Sequence, residues 1–118
     1  MGVAISNPKV NLSPSNQMLC RRVFGDIGSQ HHEFIDINEA KEWWKSNYSV
    51  INSRAMFEAV DANHDGIITY QEWVGFWTMV KNKGHTDEEI QEELYNILAH
   101  LSWVFLDGVS RLRPSVKE

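Results

Sequence analysis

Polar, turn-rich stretches alternate along the chain with short segments whose apolar residues recur every three or four positions, the spacing that places them on one face of a helix. Residues 1–14 lack that rhythm, because Pro8 and Pro14 interrupt it and Ser, Asn and Gly are frequent, so an extended segment is expected there. With Ser15 as N-cap, Met18, Leu19, Val23 and Phe24 share a face, predicting a first helix that stops near Gly25–Gly28. Phe34-Ile35 reads as a very short strand. Asp36 and Glu39 have the spacing of a capping box, which opens a second helix carrying Ala40, Trp43 and Trp44 and ending near Asn47. A third helix over 53–60 groups Met56, Phe57 and Val60. The loop 61–72 leads into a fourth helix with Trp73, Phe76, Trp77 and Val80, ended by Gly84. Thr86 and Glu89 repeat the capping-box spacing and open a longer helix over 86–106, with Ile90, Leu94, Ile97, Leu98, Leu101 and Phe105 on one stripe. The fold class predicted is all-α.

The loop between the third and fourth helices carries the clearest chemistry. Asp61-Ala62-Asn63-His64-Asp65-Gly66-Ile67-Ile68-Thr69-Tyr70-Gln71-Glu72 fits the pattern D-x-[DN]-x-[DN]-G-x₅-E. Asp61, Asn63 and Asp65 alternate, so their side-chain oxygens can converge on one point. Gly66 permits the sharp turn that follows. Ile67 offers its backbone carbonyl, Thr69 acts through a bridging water, and Glu72 closes the site with two oxygens from the next helix. All the donors are hard oxygens, which selects a hard cation, and their number with a bidentate carboxylate favours one Ca²⁺ ion, with Mg²⁺ as the competitor.

On these residues, and on the amphipathic segments flanking them, the chain resembles the EF-hand family. Such hands come in pairs, so the resemblance implies a partner upstream. Ile68 stands at loop position eight, where paired loops join in a short antiparallel β-bridge, and Ile35 is its counterpart if an upstream loop runs from Gly28 to Glu39. Glu39 then falls where the closing carboxylate belongs. Gly28, Gln30 and His32 replace the other ligands and Glu33 replaces the turn glycine, so this hand reads as degenerate and free of ion. His31-His32 has no nearby Cys and the wrong spacing for zinc. The organisation expected is an extended segment over 1–14, a hand pair with a further helix over 15–106 (degenerate hand 16–47, complete hand 53–82, helix 86–106) and a flexible tail over 107–118.

In proteins that this chain resembles, closure of the last carboxylate swings the following helix and opens an apolar groove. Trp43, Trp44, Trp73, Phe76 and Trp77 are the groove residues so implied, against the plainer reading that they are core. Three carboxylates in one loop imply an affinity of roughly 10⁻⁷–10⁻⁵ M. An apolar partner helix is the expected occupant. The helix from Thr86 can instead dock in cis, close a larger core or mediate dimerisation.

Composition narrows this picture. In 118 residues, 42% are hydrophobic and 23% charged, which suits one globular domain. Five Trp in so short a chain point to filled pockets or a groove. The single cysteine, Cys20, excludes an internal disulfide and suits a reducing, cytoplasmic setting, and on an apolar helix face it reads as core before palmitoylation. No run approaches the ~20 apolar residues of a membrane span, and no secretory signal pattern is visible. The net charge of −5 is uneven: residues 1–25 carry +3, residues 26–108 carry −10 and residues 109–118 carry +2. An acidic body argues against nucleic acid as a partner.

Met1-Gly2-Val3-Ala4-Ile5-Ser6 fits M-G-x-x-x-[ST], nominating Gly2 as an N-myristoyl acceptor, with an unmodified start as the alternative. In that signal and one hand the chain resembles recoverin-like, calcineurin-B-like and calflagin-like proteins, though it is too short for four hands. One acyl chain binds membranes only marginally, and Lys9, Arg21 and Arg22 offer the second, electrostatic attraction to a peripheral membrane surface. Two non-enzymatic functions therefore compete: a calcium sensor or adaptor, and a light-chain-like subunit that grips a partner helix with or without Ca²⁺. No nucleophile–base pair, phosphate loop or catalytic zinc cluster argues for an enzyme.

Overall fold

Each half of the chain builds the same unit, a helix, a three-residue strand and a second helix. The computed structural model describes residues 11–28, 33–45 and 48–103. In the first unit α1 spans Pro14–Ile27, β1 Phe34–Asp36 and α2 Ile37–Trp43. In the second, α3 spans Ser49–Val60, β2 Ile67–Thr69 and α4 Tyr70–Asn82. A fifth helix, α5, covers Asp87–Leu98. The two strands pair antiparallel, Phe34 opposite Thr69, Ile35 opposite Ile68 and Asp36 opposite Ile67. The expected all-α fold with a short β-bridge is what forms.

The register reveals an internal repeat of 33 residues. Phe24 and Phe57, Ile27 and Val60, Gly28 and Asp61, Ile35 and Ile68, Glu39 and Glu72, and Trp44 and Trp77 are all separated by that interval. The pairing sets position eight of one loop against position eight of the other, so an approximate two-fold axis passes between Ile35 and Ile68, both fully buried.

Several helix ends differ from expectation. Pro14 begins α1 instead of preventing it: the ring sits in the first turn, where no N–H is needed, and Ser13, not Ser15, caps the helix by accepting from Asn16 N. α3 starts at Ser49, four residues early, because the Ser53 hydroxyl donates back to Ser49 O at 2.7 Å and so lies inside the helix. α2 ends at Trp43, short of Asn47, which lies outside the described residues.

The largest difference is at α5. Instead of running to residue 106, it closes at Leu98 in a Schellman motif: His100 N donates to Ile97 O at 2.9 Å and Leu101 N to Asn96 O at 3.0 Å. The left-handed residue of that motif is His100, at φ +60°, where a glycine is usual, so the apolar periodicity gives no warning of the stop. Leu101 is consequently exposed, not an anchor, and Phe105 lies outside the described residues. Two residues on, Trp103 turns inward and is fully buried.

The core runs between the two units and under α5, with Trp44, Trp73, Trp77 and Trp103 its largest wholly buried side chains. α1 packs on both α4 and α5. Asp87, at the start of α5, secures that packing by accepting from Asn16 Nδ2, Ser13 N and Lys81 Nζ.

Candidate metal centre

The loop 61–72 is held by its own backbone before any ion is considered. Asp61 stands at the end of α3, where its N–H reaches Phe57 O at 3.0 Å. The residue is 4% exposed, and its carboxylate folds across the loop to accept from Gly66 N at 2.9 Å and Asp65 N at 3.3 Å. Those two bonds leave lone pairs on both oxygens. Asp65 Oδ1 accepts from Ile67 N at 3.2 Å, a local Asx turn. Gly66 lies at φ +88°, a left-handed conformation that side chains rarely adopt, and His64 shares that region at φ +56°.

At the far end, Glu72 sits in the first turn of α4 within a capping box. Its Oε1 accepts from Thr69 N at 3.0 Å, while Glu72 N donates to Thr69 Oγ1 at 3.1 Å. The result is convergence: one ligand oxygen each from Asp61, Asp65 and Glu72 lie within 4.8 Å of one another. Three anionic groups so close repel, and a divalent cation among them turns that repulsion into attraction. All the donors are carboxylate, amide or carbonyl oxygens, the set a hard cation requires. Residues 53–80 match the family model for the EF hand domain.

This segment is an EF hand.

The match falls on the second unit, and no curated protein and no solved structure matches the chain. Asn63 is exposed within the turn, and Ile67 lies on β2 opposite Asp36, so its carbonyl belongs to the ordered edge of the hand. Thr69 is the N-cap of α4, and its hydroxyl already serves Glu72 N.

The first unit copies this frame without the ligands at its first alternate positions, where Gly28, Gln30 and His32 stand for Asp61, Asn63 and Asp65. Gly28 ends α1 with its N–H on Phe24 O at 2.9 Å, as Asp61 ends α3. A Cβ at Gly28 would lie 2.9 Å from Phe34 O and 3.2 Å from Ile35 Cγ1, so β1 folds directly over the place of the first ligand. At the other end Asp36 and Glu39 form a capping box matching that of Thr69 and Glu72. His31, His32 and Gln30 lie outside the described residues.

The aromatic residues divide. Trp44, Trp73, Phe76 and Trp77 gather in one buried cluster, with Trp73 and Trp77 at 5.8 Å and Phe76 and Trp77 at 5.0 Å between ring centroids. Trp43 faces elsewhere: it donates from Nε1 to Ile97 O at 2.8 Å and stacks on His100 at 3.9 Å. Sequence reasoning missed Trp103, which enters the cluster from beyond α5 with ring centroids 5.4 Å from Phe76 and 6.0 Å from Trp77. The unusual number of Trp was its only signal.

Cys20 is fully buried on α1, and burial pushes its thiol up to about 12, so it stays protonated near neutral pH and packs as core. Gly2 lies outside the described residues, and no described helix is long and apolar enough to cross a membrane.

Proposed function

We propose that this protein is a small, non-enzymatic calcium sensor or adaptor that binds one Ca²⁺ ion in the loop 61–72. The observation that carries this reading is the convergence of Asp61, Asp65 and Glu72 within 4.8 Å inside an EF hand. Asp61, Asn63 and Asp65 would hold the ion by side-chain oxygens, Ile67 by its carbonyl and Thr69 through water. Bound there, Ca²⁺ would supply a doubly positive charge that offsets most of the charge of the loop's three carboxylates. Glu72 has the decisive part, because both its oxygens are needed to close the site while Oε1 now accepts from Thr69 N. Turning both oxygens onto the ion would move the first turn of α4, and Trp73, Phe76 and Trp77 with it. The surface so exposed would take an apolar helix of a partner protein. A myristoyl chain on Gly2, assisted by Lys9, Arg21 and Arg22, would hold the sensor at an anionic membrane on the cytoplasmic side.

Calcium titration by calorimetry tests the core of this. The wild type is expected to bind one ion, and Glu72→Gln to lose that binding. A Glu72→Gln protein that binds as the wild type does would overturn the reading. Myristate-analogue labelling in cells, with Gly2→Ala as control, tests the anchor, which no incorporation into the wild type would remove.

A light-chain-like role is favoured by one feature, the packing of β1 over Gly28, which leaves no room for a first ligand in the first loop. It predicts partner capture that survives chelator, whereas the sensor predicts capture that chelator abolishes.

A further inference from the structure

We infer that residues 99–103 are a built-in occupant of the partner groove, with Trp103 as its anchor, and that loading of the loop 61–72 releases it. The inference rests on the sensor reading of that loop. Trp103 is fully buried, and its ring is surrounded by Phe76 at 5.4 Å, Trp77 at 6.0 Å, Trp73 at 6.1 Å and Trp44 at 6.4 Å. These are four of the five residues that an exposed groove would present. The seat draws on both hands, since Trp44 caps α2 and the other three lie on α4.

The way Trp103 reaches this seat marks it as a strap and not as a continuation of the helix. The turn out of α5 needs a left-handed residue, and His100 adopts that conformation at φ +60° without being glycine. Contacts to Trp43 hold it there: the rings stack at 3.9 Å, and His100 Nδ1 lies 2.7 Å from Trp43 O. Beyond it, Trp103 N donates to Asn52 Oδ1 at 3.0 Å. The strap is thus pinned at points on α2 and α3.

The seat itself is imperfectly satisfied. Trp43 Nε1 and Trp73 Nε1 each donate to a backbone carbonyl, Ile97 O and Cys20 O. Trp44, Trp77 and Trp103 bury their indole N–H groups with no acceptor among the described residues. A buried donor without an acceptor costs free energy that a satisfied one does not. Three such donors in one aromatic cluster describe a surface that shields its apolar area in the absence of a partner, and that an aromatic anchor offering acceptors would fill better.

Coupling to the loop follows from α4, which begins with the turn that holds Glu72 and carries three walls of the seat. A shift of that helix changes its spacing to Trp44 and loosens Trp103. Linkage is reciprocal: if loading the loop expels the strap, the strap must oppose loading.

Calorimetry and apolar-dye fluorescence on the full chain, as wild type, Trp103→Ala and His100→Ala, test this. Trp103→Ala is expected to bind dye in chelator, where the wild type does not, and to bind Ca²⁺ about 3- to 10-fold more tightly. His100→Ala, at an exposed position, is expected to shift Ca²⁺ affinity the same way by about 2- to 3-fold. It carries the test alone if circular dichroism shows Trp103→Ala unfolded. Unchanged or weaker Ca²⁺ affinity in the folded variants, with the wild type binding normally, overturns the strap and leaves the sensor reading intact. A wild type without Glu72-dependent Ca²⁺ binding sinks both.

Discussion

The loops 28–39 and 61–72 leave their helices in the same way, with Gly28 N on Phe24 O at 2.9 Å and Asp61 N on Phe57 O at 3.0 Å. Both end in capping boxes, and they meet at Ile35 and Ile68. They part at their first residue. In the second loop a buried carboxylate gathers the turn by accepting from Asp65 N and Gly66 N. In the first, the backbone of β1 occupies that volume, and only hydrogen fits on Gly28. The lesson is that strand pairing and helix capping define the frame, while a carboxylate at the first loop position, where the other loop has Gly28, is a separate addition to one of two similar frames.

The element both loops share is the place to break the comparison hardest. Ile68→Ala and Ile35→Ala each remove a wholly buried side chain from the β-bridge and are expected to cost about 2–5 kcal/mol, read from urea midpoints. Ile35 lies outside the cation loop, so its effect on Ca²⁺ is the sharper measurement. If the first loop braces the second, Ile35→Ala weakens Ca²⁺ binding as well as the fold. Full affinity in a destabilised Ile35→Ala protein would separate the two loops.

At the residue where the loops diverge, two substitutions give opposite tests. Asp61→Ala removes a ligand and strands two loop N–H groups, so Ca²⁺ affinity by calorimetry should fall by roughly 100-fold or more. Gly28→Asp installs in the first loop the ligand it lacks. Because a Cβ there would come within 2.9 Å of Phe34 O, the expected result is a loss of about 1–3 kcal/mol in stability and no second ion. Two ions per chain would show that the close packing over Gly28 yields to charge.

How far these features could be read in advance depended on whether the physics was local. The cation loop and the boxes at Asp36/Glu39 and Thr86/Glu89 are fixed by spacing over a dozen residues or fewer and are legible in the sequence, while the Ile35–Ile68 register, across 33 residues, is legible through the resemblance to paired hands. Gly28 read as a missing ligand, because the strand that covers it cannot be seen from composition. The end of α5 was hidden because histidine, not glycine, takes its left-handed position, held there by a ring 57 residues away. Trp43 and Trp44 are neighbours in sequence, and one helical step of rotation gives them different partners. Trp103 follows a helix that ends early, so its burial depends on all of these at once.

The smallest expected effect concerns how each hand is steadied. The second has its cation loop. Asp87 of α5 ties the first unit to the end of α4: it accepts from Ser13 N at 3.4 Å and Asn16 Nδ2 at 3.4 Å on one side and from Lys81 Nζ of α4 at 2.9 Å on the other. The hydrogen bond from Lys81 contributes most to holding the Asp87 carboxyl below its ordinary value, with the Ser13 N–H, the Lys81 charge and the Asn16 amide adding to it. A carboxyl with a lowered folded pKa stabilises the fold above its unfolded value of about 4 and loses that contribution as pH falls through the folded one. The group is partly open to solvent, so the contribution is under about 1 kcal/mol. Asp87→Asn should therefore lower the urea midpoint slightly at pH 7, and the gap to the wild type should close as both are taken below pH ~4. Ca²⁺ affinity at pH 7 should stay within about twofold, because the tie holds α1 and only the last turn of α4, away from Glu72, and touches nothing in the loop 61–72. A large loss of affinity in Asp87→Asn would show that the ion-bearing hand depends on the α5 clasp, and that the two hands are not steadied independently.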